Sequence, residues 1–156
     1  MDEIAAWFAS RIPEDWFSAT PEVTADQDEI LVVGRLGAGA GRPEERIARF
    51  REDSRERRMR IALEAERRFG RKVSWGAEAD GVRRHFSTLS LPVMTRLRQP
   101  ERQVLDTLIA AGVARSRSEA LGWCVRLIAE KQADWLSELR GALAAVEKAR
   151  AKGPRI

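Results

Sequence analysis

Apolar residues recur along this chain first at helical spacing, then as a continuous run, and then in helical and alternating rhythms that repeat to the end. Ile4, Trp7 and Phe8, with Arg11 or Ile12, fit a short helix, and a second turn is expected around Pro13 to Phe17, which includes Trp16. Residues 1–28 therefore predict an aromatic N-terminal arm or lid, either docked on the body of the protein or free to anchor another protein through its tryptophans. The run Ile30 to Val33 within EILVVGRL predicts a buried strand, and Gly34 permits a bulge or bend. GAGAG at 37–41 is a flexible turn that lacks the spacing and lysine of a phosphate loop. Pro43 and two glutamates open a long helix ending at Gly70, with Ile47, Phe50, Ile61, Ala65 and Phe69 along one face. Polar residues interrupt that face from Ser54 to Arg58, which predicts an exposed or slightly bent middle. Alternation from Arg71 to Trp75, the turn-like GAEADG and then VRRHFSTLSL predict two more strands, giving a small α/β unit over residues 29–91.

From residue 92 to 150 the pattern changes. Val93, Thr95 and Leu97 share one face of a period-two segment and Met94, Arg96 and Arg98 the other, as in a half-buried strand with a cationic outer face. Pro100 then suits the first turn of a helix carrying Val104, Leu105, Leu108 and Ile109, and Gly112 ends it. Ser116 or Ser118 can cap a second helix in which Glu119 suits the positive first turn. Leu121, Val125, Ile128, Gln132, Trp135, Leu139, Ala142 and Val146 continue in steps of four and three, a heptad seam weakened at Gln132 and Ala142. This predicts an extended C-terminal helix serving a dimer contact or packing on the N-terminal unit. Residues 151–156, with Gly153 and Pro154, predict a flexible tail.

The strand ending TRLR at Thr95 to Arg98, LDTLIAAG at Leu105 to Gly112, and SRSEAL at Ser116 to Leu121 resemble the ribbon-helix-helix family, over a quarter to a third of the chain. In that family two chains pair one strand each and wrap four helices around a shared core. The resemblance implies a homodimer with Leu97, Leu105, Leu108, Leu121, Val125 and Ile128 in its core. It further implies that Met94, Arg96 and Arg98 contact DNA base edges, and that Ser116, Arg117 and Ser118 contact phosphate at the start of the second helix. Family members often carry proline directly after the strand, whereas Arg98 and Gln99 precede Pro100 here.

Composition adds charge to this picture. The formal net charge is +4, yet residues 1–30 hold eight acids against one base and residues 46–72 eleven bases against five acids. The acidic leader either folds back on the basic helix or leaves it free to attract polyanions, and Arg57 and Arg60 are candidates for additional phosphate contact. Paired with Glu52, Asp53 and Glu56, the same arginines would be solvated surface. No metal or cofactor is expected: His85 and Cys124 are single, which excludes the usual zinc set. No nucleophile–base pattern predicts an enzyme. No stretch approaches the roughly 18 apolar residues of a membrane span, and MDEIAAWF lacks a secretory pattern, so a cytoplasmic protein without membrane contact is expected. The reading from sequence is an α+β protein, with a small α/β unit followed by a ribbon-helix-helix-like segment. Its expected function is that of a sequence-specific DNA-binding homodimer of the transcriptional-regulator type, with RNA or ribosome association, or a non-catalytic protein-interaction dimer, as alternatives.

Overall fold

The computed structural model describes residues 2–153, which divide after Pro92 into two compact units. Within the first, α1 (Asp2–Arg11) precedes β1 (Glu22–Ala25) and β2 (Glu29–Arg35); α2 (Pro43–Asp53) and α3 (Arg55–Phe69) then lead to β3 (Lys72–Ala79) and β4 (Val82–His85). The sheet order is β1-β2-β3-β4, antiparallel, parallel and antiparallel in turn. The second unit holds α4 (Gln99–Ala110), α5 (Arg117–Lys131) and α6 (Ala133–Ala151). The chain is thus of mixed α+β class.

Register explains which strand residues are buried. Ile30 pairs with Val73, Val32 with Trp75 and Gly34 with Ala77, so these side chains share one face of the sheet. That face packs on Phe8, Ile12, Ile61 and Ala65. The leader is therefore built into the core: Phe8 is fully buried, and its ring meets Trp7 and Trp75 edge-on at centroid distances of 5.0 and 6.0 Å. Trp16 and Phe17 pack against Phe50 on α2. A Cβ added at Gly34 would overlap the Phe17 ring, so a glycine there lets the aromatic lie against the strand.

Several expectations are corrected. The strand β1 forms inside the segment expected to be an arm, joined to β2 by a turn in which the Asp26 carboxylate accepts the Asp28 and Glu29 N–H groups at 2.9 and 2.8 Å. Those bonds hold the Asp26 pKa below its ordinary value. GAEADG is mostly strand, since β3 runs to Ala79 and only Asp80 and Gly81 turn, both at positive φ. Beyond β4 the Phe86 N–H still reaches the Trp75 carbonyl, and the short strand expected within VRRHFSTLSL forms only over Val82–His85.

The long helix bends rather than running straight. At Ser54 the hydroxyl donates back to the Phe50 carbonyl, which competes with regular helix geometry and separates α2 from α3. The middle is exposed at Arg55, Glu56 and Arg57, whereas Ser54 and Arg58 are buried. Arg58 donates from Nε to Ser54 Oγ at 2.8 Å and from Nη2 to the Arg51 carbonyl at 2.6 Å, with its guanidinium 4.7 Å from the Phe86 ring centroid. Its burial lowers its pKa. Gly70, left-handed at φ 67°, ends α3 as expected.

In the second unit no strand forms over Val93–Arg98, and helix begins at Gln99. The C-terminal helix is not continuous either: Gln132, at φ −121° and ψ 32°, separates α5 from α6. α6 reaches Ala151, while residues 154–156 of the expected flexible tail lie outside the described residues.

Candidate nucleic-acid interface

Pro at the second position opens α4, and Gly112 at φ 75° lets the chain reverse after it. Val113 and Ala114 N–H groups return to the Leu108 carbonyl, closing the hairpin. Ser116 then caps α5: its Oγ accepts the Glu119 N–H at 3.2 Å, and the Glu119 carboxylate accepts the Arg115 N–H at 2.8 Å. The α4–α5 hairpin buries Leu105, Ala114 and Ala120, with Leu97, Leu108, Ile109, Leu121 and Cys124 packed around them. Four of the six residues assigned to a dimer core, Leu97, Leu105, Leu108 and Leu121, thus pack within one chain. Val125 and Ile128 remain exposed.

Arg117 was expected to grip phosphate, yet its fork faces Asp106 on α4, with Nε and Nη2 donating to the two carboxylate oxygens at 2.8 and 2.7 Å. This pairing lowers the Asp106 pKa and raises that of Arg117. Phosphate would have to compete with a carboxylate already in place. Met94 and Ser118, with Arg117, line a shallow depression of about 340 Å³ over Leu105 and Leu121. Arg96 and Arg98 are exposed on the irregular segment before α4. Among the described residues no carboxylate lies within ion-pair distance of Arg96, Arg98 or Arg115. Arg115 was not anticipated from the sequence; its place beside the capping serine was the available signal.

In the first unit the leader does fold back, and Glu3 pairs with Arg68 at 3.0 Å. Arg57 and Arg60 stay exposed and unpaired among the described residues, so the expected pairing with Glu52, Asp53 and Glu56 does not occur. They line a depression of about 420 Å³ with Arg11, Ile61 and Glu64. Arg11 joins them because α1 docks along α3, a placement no local pattern announces; its contact with Glu64 is a long 3.8 Å.

No group of three or more metal-ligating side chains occurs among the described residues, and no described helix is long and apolar enough to cross a membrane.

Comparison with known proteins overturns the ribbon-helix-helix resemblance. Residues 2–85 match the model of the N-terminal domain of Rv1265-like proteins, and residues 98–150 match that of the Mb1296 C-terminal domain. No ribbon-helix-helix family is found. The physical reason is visible at Val93–Arg98: the alternation that reads as a strand belongs to an irregular segment whose Leu97 packs on the helical hairpin. Without the resemblance, the assignment of Met94, Arg96 and Arg98 to base edges loses the argument that carried it. No solved structure matches the chain. Over 158 aligned positions it is 54% identical to Uncharacterized protein Mb1296 of Mycobacterium bovis, covering 96% of this chain and 70% of that relative. The same figures describe its similarity to Uncharacterized protein Rv1265 of Mycobacterium tuberculosis. With that identity over nearly its full length, and both domain models matched in order, the chain belongs to the Rv1265-like family.

Proposed function

We propose that the protein binds duplex DNA through the phosphate backbone, with residues 93–117 as the principal contact region. The observation that carries this reading is where the charge resides. Residues 1–92 hold sixteen bases and seventeen acids, whereas residues 93–156 hold twelve bases and seven acids, so the whole positive excess lies in the second unit. Arg96, Arg98 and Arg115 are exposed there without carboxylate partners among the described residues. No aromatic residue occurs between 87 and 122. Single-stranded RNA is usually held by stacking bases on aromatic side chains, so a surface of guanidinium groups alone suits the regular phosphates of a duplex better. Arg11, Arg57 and Arg60 form a second, smaller group of phosphate candidates in the first unit.

Fluorescence anisotropy with a labelled duplex, titrated between about 50 and about 200 mM salt, tests this. Affinity should fall steeply with salt, and replacing Arg96, Arg98 or Arg115 with alanine should each shallow the log–log slope by about 0.9, the increment for one phosphate contact. Asp106→Ala, which frees the Arg117 fork, should tighten binding. Binding that is absent, or indifferent to salt and to these arginines, would refute the proposal; tighter binding of single-stranded RNA would replace DNA with RNA.

A further inference from the structure

α6 is a helix of 19 residues with no buried residue. In water the stability of such a helix comes mostly from packing an apolar face, and isolated helices are marginal. This one has a face to pack. At 3.6 residues per turn, Trp135, Leu139, Ala142, Leu143 and Val146 fall on one side, and the four large members are 54%, 42%, 61% and 47% exposed. Val125 and Ile128 on α5 are also exposed, at 63% and 51%. The four large side chains on α6 expose roughly 400 Å² per chain, within the range of the largest apolar patches on monomers; with the polar residues bordering them, two copies would bury about 1,000 Å², the low end of specific interfaces.

We infer that this face is a self-association surface, covered by α6 of a second copy running antiparallel. The charges bordering the face are complementary to those of a second copy, and Trp135 with Arg150 favours the antiparallel direction. Arg140 and Glu147 lie seven residues apart on the same edge of α6. An antiparallel copy sets Arg140 of each chain opposite Glu147 of the other, forming two ion pairs by symmetry. The same register brings Arg150 of each copy to the Trp135 indole of the other, a cation–π arrangement. A parallel copy would set this edge against the one carrying Asp134, Glu138 and Lys152, pairing Arg140 with Glu138 and Glu147 with Lys152 but taking Arg150 away from Trp135.

Sedimentation equilibrium of the full chain, without nucleic acid, tests the inference independently of DNA binding. At low micromolar concentration the mass should be twice 17.6 kDa. Leu139→Glu combined with Leu143→Glu should return it to one chain. Because those changes can also melt α6, a charge swap supplies a second test: R140E or E147R alone should weaken association about tenfold by placing like charges opposite each other, and the double variant should recover it. A wild-type monomer, a dimer indifferent to both leucine changes, or a failure of the double swap to recover association would each overturn the antiparallel pairing.

Discussion

Replacing Phe8 with alanine should cost the first unit about 4 kcal/mol, a magnitude set by complete burial and by the roughly 3–5 kcal/mol typical of Phe→Ala in a packed core. The loss combines transfer of the ring to water, a cavity between α1 and the sheet, and two edge-on aromatic contacts, to Trp7 and Trp75. A domain of this size has about 5–15 kcal/mol in total, and each kcal/mol moves its Tm by about 4–8 °C. A drop near 20 °C is therefore expected. Urea unfolding followed by tryptophan fluorescence measures it, because Trp7, Trp16 and Trp75 all lie in this unit. Hydrogen exchange of the β2 and β3 amides gives a second readout. The midpoint should fall with little change in slope, and Phe8→Leu should cost much less because it keeps most of the volume. A loss below about 1 kcal/mol, typical of surface sites, would show that the leader helix contributes little to the core.

Two further outcomes follow from buried and paired charge. Arg58→Met should destabilise less than Arg58→Ala, because methionine keeps the stem against Phe86 and removes the desolvation cost, whereas alanine loses packing as well as the bonds to Ser54 and Arg51; equal losses measured by urea titration would contradict this. The Asp106–Arg117 pair depresses the folded Asp106 pKa, so its stabilisation is complete above the unfolded aspartate value and disappears as pH falls through the lower folded one. The Tm difference between the wild type and Asp106→Asn should be largest near neutral pH and vanish in strong acid, and a difference independent of pH would refute that assignment.

The elements most legible in the sequence were those whose signals are local. Ile30 to Val33 reads as a buried strand because four consecutive apolar side chains suit a strand covered on both faces, and β2 forms there. Pro43, Gly70, Pro100, Gly112 and Ser116 marked helix ends through backbone chemistry that each residue carries alone. The polar gap from Ser54 to Arg58 was visible, but the burial of its two end residues was not. A buried arginine is tolerated only because Ser54 Oγ, the Arg51 carbonyl and the Phe86 ring converge on it, and Phe86 comes from a distant part of the chain. β1 has no local signature because EVTA is short and half polar, and it is strand only by pairing with β2. Val93 to Arg98 shows the opposite case: alternation permits a strand, but hydrogen-bond partners make one, and none is supplied among the described residues. The candidate interface divides in the same way. Its arginines and the excess charge of the second unit were present in the sequence, but which of them stay free was decided by tertiary contacts. Asp106 occupies Arg117, Glu3 occupies Arg68, and docking of α1 brings Arg11 to Arg57 and Arg60. Sequence alone determined where charge and apolar surface occur; their availability depends on partners distant along the chain, because ion pairing and burial are properties of proximity in space.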